Sequence, residues 1–335
     1  MAGPDASACA ATTLAGHDSR IKVLYIGGYS RSGSTLVDRM LGQIPGVVST
    51  GELAYIWTHG VKQNRLCGCG SRFLECPFWS AVGQHAFGGW DALDVERTLL
   101  LERSVNRHRF LPFLIWPGAR PEFDRDLRAY AAVLAALYRA IHVVGDSRLI
   151  VDSTIDPAYG FLLRHVADLD LRLVHLVRDS RGTSHSWTRK VRRSDRVDEV
   201  VYMRRFHPAV TAMRWTLYHS LVDVLGLLGN TPCVVRYEDF VTSPHKEIAR
   251  IAQAAELTIE PARDLAFISD GEAELGINHT VAGNRMRLQH GPLRLRIDDD
   301  WRGSLTSGHR RAVTIASWPL LRQYGYIPAE GSRAQ

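Results

Sequence analysis

Nine residues, Gly27-Gly28-Tyr29-Ser30-Arg31-Ser32-Gly33-Ser34-Thr35, combine glycines, hydroxyls and one arginine between an apolar run, Ile21 to Ile26, and an amphipathic stretch, Ser34 to Gln43. That is the composition of a phosphate cradle, in which glycines let the backbone approach an anion and N–H groups at a helix N-terminus point at it. The spacing Gly28-x4-Gly33 copies a P-loop, but Ser34-Thr35 stands where a nucleotide-hydrolysing P-loop requires Lys followed by Ser or Thr. Kinase or ATPase chemistry is therefore the weaker alternative. Arg31, at the apex, is a permanently charged fork suited to planar oxyanions.

Three further polar clusters each follow an apolar run: Asp152-Ser153-Thr154 after Leu149 to Val151, Arg178-Asp179-Ser180-Arg181 after Leu171 to Val177, and Arg236-Tyr237-Glu238-Asp239 after Cys233 to Val235. Short β-branched runs separated by helical stretches predict a parallel sheet covered on both faces. Ligands of such sheets sit outside the carboxyl ends of the strands, so all four clusters are expected on one rim. The predicted fold class is α/β, a P-loop-like central parallel sheet flanked by helices, with a helical insertion at about 55–146. The predicted organisation is a flexible tail over 1–19, a single domain over 20–328 and a tail over 329–335. The longest helix is predicted from about Ala209 to Leu228, with Trp215, Tyr218, Leu221, Val222 and Leu225 at helical spacing and Gly229-Asn230 as its stop. Residues 90–146 read as mainly helical, interrupted near Pro112 and Pro117.

The 335 residues are 45% hydrophobic and 23% charged, the composition of an ordinary globular protein. No apolar run approaches the roughly 20 residues of a membrane span, and Met1 to Asp18 lacks a basic region followed by an apolar one, so a cytoplasmic location is expected. The formal charge of +6 is concentrated: Arg172 to Arg205 holds ten Lys or Arg, and Arg285 to Arg311 holds seven Arg. Such clusters suit a nucleotide with several phosphates, and no DNA- or RNA-binding pattern accompanies them, so no nucleic-acid partner is expected. Of the cysteines Cys9, Cys67, Cys69, Cys76 and Cys233, three fall within ten residues. Cys67-Gly-Cys69-Gly with Cys76-Pro is half of a zinc pattern, but the second half is missing and His59 and His85 lie outside the usual spacing. A local disulfide and a glycine-bent loop with buried thiols are the alternatives, the latter preferred.

Three of these segments resemble, in order, the motifs of the sulfotransferases that use 3′-phosphoadenosine 5′-phosphosulfate (PAPS). Tyr25 to Leu41 is similar to the family's 5′-phosphosulfate loop, in the Arg-Ser-Gly-Ser/Thr-Thr form of bacterial members and tyrosylprotein enzymes. Leu173 to Trp187 is similar to its 3′-phosphate motif, which implies that Arg178 and Ser186 grip the 3′-phosphate. Val235 to Phe240 resembles its Tyr-Glu-Asp segment, which implies Tyr237 beside the adenine. Asn284, Arg285 and Arg287 lie in a stretch similar to the Gly-Asn-x-x-Arg segment that returns to the nucleotide. The resemblance implies in-line transfer of a sulfuryl group to a hydroxyl of a small-molecule, carbohydrate or lipid acceptor. Arg31 would stabilise the transferring oxygens, with Ser30, Ser32, Gly33, Ser34 and Thr35 cradling the phosphosulfate. Glu52, where tyrosylprotein-type members place a glutamate, would be the general base, and no metal is required by this chemistry.

One departure is that Asp152-Ser153-Thr154-Ile155 replaces the Asp-Ser-Ser-Lys of several relatives. Without that lysine, Arg31 carries more of the stabilisation, or a residue of the basic segment Arg189 to Arg196 swings in. His175, His185 and His279 are the alternative bases. Trp57, Phe73, Phe78, Trp79, Phe110, Phe113 and Trp116 either line the acceptor pocket or fill the core. An ATP-dependent P-loop kinase and a non-catalytic nucleotide-binding or zinc-stabilised module remain the rival functions.

Overall fold

A computed structural model describes residues 20–190, 202, 204–229 and 231–328. The two expected tails, Cys9 and the stretch 191–196 of the basic segment lie outside the described residues. Five strands, β1 (Ile21–Gly28), β2 (Val47–Gly51), β3 (Leu149–Ile155), β4 (Leu169–Val177) and β5 (Cys233–Arg236), form one parallel sheet in the order β2-β3-β1-β4-β5. Alternation divides the central strand between two cores: Val23 and Tyr25 pack into one cluster, Leu24 and Ile26 into another on the opposite face. A strand buried on both faces therefore reads as a nearly continuous apolar run, and β1, β3 and β4 were legible for that reason, while the edge strand β5, with Val234 exposed, was legible as a short β-branched run.

β2 was not predicted. Its Ser49 and Thr50 are polar yet buried, because Ser49 Oγ donates to Asp38 Oδ2 at 2.6 Å and Thr50 Oγ1 donates to the Val151 carbonyl at 2.8 Å. The helical insertion consequently begins after β2. Its helices Pro77–Phe87, Val95–Val105 and Pro121–Val144 share one hydrophobic cluster with β1 and β3. By length and composition alone, Pro121–Val144 passes the test for a membrane-crossing helix. Phe123, Leu127, Tyr130, Leu134, Leu137, Tyr138 and Ile141 on it are buried in that cluster. The expected long helix is Pro208–Leu227, with a proline at its first position and Trp215, Val222 and Leu225 buried.

A second, antiparallel sheet of β6 (Ile268–Ser269), β7 (Glu272–Leu275) and β8 (Gly291–Arg294) was also unpredicted. The connection from β7 to β8 returns to the first sheet because Arg39, fully buried on helix Ser34–Leu41, donates to three of its carbonyls. These are Met286 at 2.7 Å, Gly276 at 2.8 Å, and Gln289. An arginine buried this way is stable only with its donors filled, so the clamp and the helix specify each other.

Next to Arg39, Asp38 is fully buried, and burial pushes its carboxyl up to about 8, against the opposing hydrogen bond from Ser49. The folded state then holds a proton that the unfolded chain releases near the ordinary carboxylate range. Stability should fall as pH rises from about 4 to about 8, since the folded state binds more protons across that window. Asp38→Asn is expected to flatten the decline, leaving the variant more stable than the wild type at pH 8 by on the order of 1–3 kcal/mol. Urea melts at pH 5, 6.5 and 8 test this; parallel pH dependences in the two proteins would contradict it.

Candidate active site

The loop after β1 is shaped by two left-handed residues, Arg31 (φ 76°) and Gly33 (φ 92°). Gly33 has no alternative: a Cβ there would lie 2.4 Å from the Tyr237 ring. Arg31 carries the strain of an unfavourable φ, as residues at functional sites often do. Gly33 gives helix Ser34–Leu41 no side-chain cap, so the helix opens directly onto the loop, with Ser34 and Thr35 in its first turn.

The loop after β4 ends on Arg178, whose side chain is 8% exposed. Its Nη1 donates to the Arg31 carbonyl at 3.0 Å, and its guanidinium lies 4.9 Å over the Tyr237 ring. Its Nη2 reaches the Asp298 carbonyl at 3.1 Å and the Asp298 carboxylate at 3.0 Å. Asp179 instead caps helix Ser180–Thr188, accepting from the Arg181 N–H at 2.8 Å and pairing with its guanidinium at 2.6 Å. Glu238, after β5, accepts from the Asp179 N–H at 3.2 Å and from Tyr326 Oη at 2.6 Å, tying the β4 and β5 loops together.

These loops enclose a cavity of 510 Å³ at the carboxyl rim of the sheet. Of the sequence-predicted residues, Ser30, Arg31, Gly33, Ser34, Thr35, Glu52, Arg178, Ser186, Tyr237, Asn284 and Arg287 line it. Ser32 and Arg285 do not. Ser32 is buried, donating to the Tyr29 carbonyl at 2.6 Å to close the loop, and Arg285 is exposed outside the lining. Asn284 meets the cradle through its backbone, its N–H donating to Thr35 Oγ1 at 3.1 Å, while its side chain accepts from the Met286 N–H. Arg287 is buried and donates to the Thr280 carbonyl at 3.0 Å and the Leu66 carbonyl at 2.7 Å, so it braces the wall.

Charge inside the cavity is unbalanced toward anion binding. Burial, then the neighbouring Arg178, lowers the pKa of Arg31, and the nearby Glu52 carboxylate opposes that shift. The Arg31 guanidinium also lies 5.2 Å over the Trp187 ring, which fixes its direction. On the other side, Asp298 occupies Arg178 through both its carbonyl and its carboxylate. Burial alone would raise the Asp298 pKa, but Arg178 and Arg189 hold it below the usual range. If Arg178 receives an anionic group of a ligand, Asp298→Asn removes an internal competitor and should tighten binding, tested with an adenosine 3′,5′-bisphosphate, by about threefold to tenfold, roughly the value of a partly buried ion pair. Calorimetric titration checks it, and weaker binding in the variant would show that Asp298 supports the ligand.

The three histidines expected as alternative bases are all placed elsewhere. His175 is fully buried in β4, bonded to His219 at 2.7 Å and paired with Asp223 at 3.2 Å; His185 faces inward from its helix; His279 meets the cysteine loop. None of the three lines the cavity. The aromatics weighed for an acceptor pocket are also outside the lining: Trp57, Phe73 and Trp79 are core, Phe110 and Phe113 pack on Phe123, Phe78 stacks on His279, and Trp116 is 70% exposed. Instead Tyr55, His59 and Arg65 line the cavity, with His59 on a π-helical turn, Ile56–Lys62, and stacked on Tyr55 at 4.9 Å. No sequence pattern marks them. Ile155, where the lysine of several relatives was missed, also lines the cavity, at φ 55°.

No protein-family model matches the sequence, and no curated protein matches it. Solved structures do. The sulfotransferase domain from the Synechococcus PCC 7002 olefin synthase superposes with a TM-score of 0.53 at 21% identity, over 93% of this chain and 98% of that domain. The sulfotransferase domain from the curacin biosynthetic pathway matches with a TM-score of 0.45 at 15% identity, over 89% of this chain and 98% of that one. Sulfotransferase STF9 from Mycobacterium avium matches with a TM-score of 0.44 at 13% identity, over 90% of this chain and 76% of that one. With a parallel sheet in the order β2-β3-β1-β4-β5, a phosphate-type loop after β1 and a superposition over 93% of its length, this chain has the sulfotransferase fold.

Proposed function

We propose that the protein transfers a sulfuryl group from PAPS to a hydroxyl of a small-molecule, carbohydrate or lipid acceptor. The observation that carries this reading is the convergence of Arg31 and Arg178, from loops after two adjacent strands, on one cavity of 510 Å³. Two arginines held within one hydrogen bond of each other's loop suit a ligand with two separate anionic groups.

In this reading the helix opening at Ser34 and Thr35 receives the 5′-phosphosulfate, and Arg178 with Ser186 receives the 3′-phosphate in place of Asp298. The acceptor oxygen attacks sulfur in line, the bond from sulfur to the bridging phosphate oxygen breaks, and the acceptor proton passes to Glu52. Negative charge grows on the bridging oxygen as 3′-phosphoadenosine 5′-phosphate leaves, and Arg31 stabilises it there. The Tyr55, His59 and Arg65 wall faces the acceptor side. A wall with one arginine, one imidazole and one phenol favours a polar or acidic acceptor over a purely apolar one.

The test is titration with 3′-phosphoadenosine 5′-phosphate, AMP and ATP, followed by transfer of labelled sulfate from PAPS to a panel of hydroxyl acceptors. Binding that requires the 3′-phosphate is the expected result. Equal or tighter binding of ATP, with magnesium-dependent turnover, would overturn the reading in favour of the kinase.

A further inference from the structure

Outside the cavity, the chain brings a histidine, His279, against three cysteines that lie about 200 residues before it. Cys76 Sγ lies 3.3 Å from His279 Nδ1, Cys67 Sγ 3.8 Å from the same nitrogen, and Cys69 Sγ 3.7 Å from Cys76 Sγ. The four ligand atoms all lie within 4.8 Å of one another. We propose that Cys67, Cys69, Cys76 and His279 bind a structural zinc ion that fastens the head of the insertion to the segment lining the donor cavity.

The distances are those of a coordination shell. Zinc–sulfur bonds of about 2.3 Å and zinc–nitrogen bonds of about 2.0 Å set tetrahedral edges of about 3.8 Å between sulfurs and about 3.5 Å between sulfur and nitrogen. At 3.7 Å, Cys69 and Cys76 are far from the roughly 2 Å of a disulfide. Three thiolates and one imidazole are a soft set suited to zinc, and four protein ligands leave no open position for catalysis. None of the four lines the donor cavity.

The surroundings hold the ligands in place. Cys67-Gly68-Cys69-Gly70 turns tightly: the Cys67 N–H donates to the Ser71 carbonyl at 2.8 Å and the Gly70 N–H to the Cys67 carbonyl at 2.9 Å. Gly68 passes directly beneath Asn278, where a Cβ would lie 1.9 Å from Oδ1, and its N–H donates to the Thr280 carbonyl at 3.0 Å. The His279 ring stacks on Phe78 at 4.9 Å and 14°, and its carbonyl accepts from Trp79 Nε1 at 2.7 Å. The cysteine loop and the segment carrying His279 are thus held against each other around the proposed ion. From His279 the chain runs straight into Val281, Ala282, Gly283 and Asn284 of the cavity wall. Binding deprotonates the three thiols and releases their protons to solvent, leaving three thiolates, a neutral imidazole and the dication.

Elemental analysis of the intact, untagged protein should find about one zinc per chain, retained in Cys233→Ser and reduced below about 0.2 in Cys76→Ser and His279→Ala. Cobalt added to the reduced, metal-stripped wild type should give the intense visible bands of a tetrahedral site and a sulfur-to-cobalt charge-transfer band, a readout that does not depend on the variants folding. Stripping should also lower the thermal midpoint and weaken nucleotide binding. Folded wild type with under about 0.2 zinc and no tetrahedral cobalt spectrum would overturn the proposal, as would zinc undiminished in both ligand variants. Neither outcome bears on the sulfotransferase reading, which rests on the nucleotide titration.

Discussion

Arg178→Ala is expected to weaken binding of 3′-phosphoadenosine 5′-phosphate by about 100-fold or more, while AMP binding changes by less than about threefold. The asymmetry is the point. A charge-assisted, doubly hydrogen-bonded contact to a phosphate is worth about 3 kcal/mol, and only the bisphosphate presents a 3′-phosphate to it. The side chain is 8% exposed, so no water replaces the lost donors well. Arg178 also supports the cradle through the Arg31 carbonyl, and that part of the loss would fall on both nucleotides. Arg178→Lys should recover part of the discrimination, since a lysine keeps the charge but not the planar fork. Calorimetry on the three proteins decides it: a folded Arg178→Ala that binds the bisphosphate as tightly as the wild type would remove the 3′-phosphate site from this rim.

Glu52→Gln should lower kcat by about 10²- to 10⁴-fold with donor affinity unchanged or slightly improved. Glu52 follows β2, lines the cavity and is close enough to Arg31 to oppose the lowering of its pKa. In the proposed reaction glutamine keeps the shape and removes both the proton acceptor and a negative charge facing the donor's sulfate. The chemical step therefore slows while binding of an anionic donor does not. His175, His185 and His279, all absent from the lining, offer no substitute base. Single-turnover transfer from PAPS, measured beside the bisphosphate Kd, separates the two effects. A variant with wild-type single-turnover rate would remove Glu52 from proton transfer, and one with equal losses in rate and binding would mark it as a bracing residue.

Most of the cavity rim was legible because it is built from local pattern. β1, β4 and β5 are apolar runs that end in polar clusters, and a parallel sheet delivers those ends to one rim, whereas Asp152-Ser153-Thr154 lies buried inside β3 and only Ile155 of that strand reaches the cavity. Ser32 shows the limit of that logic. It belongs to the right loop, but its hydroxyl is spent on the Tyr29 carbonyl to hold the turn. Arg287 shows the same limit differently, since two backbone carbonyls hold its guanidinium as a brace. β2 was hidden because its buried polar residues are satisfied by Asp38 and by β3, partners that composition does not reveal. The β6–β8 sheet was hidden because strands of two to four residues carry too little periodicity to register.

By itself the sequence determined the α/β sheet, the cradle from Ser30 to Thr35 and the placing of Arg178, Ser186 and Tyr237 beside it, because neighbouring residues dictate strand, turn and helix N-terminus. Only the tertiary structure decided what meets across long separations. It put Asp298 on Arg178, brought His59 and Arg65 into the wall, and carried His279 to Cys76 across 203 residues. The half zinc pattern at Cys67, Cys69 and Cys76 had no partner within ordinary ligand spacing because its fourth ligand lies on the β7–β8 connection. Arg39, on the helix after β1, draws that connection back to the first sheet, and Arg287 ties it to Leu66 beside the cysteine loop. Contacts of that kind are set by burial and by the need to satisfy buried donors, conditions that exist only once the chain has folded.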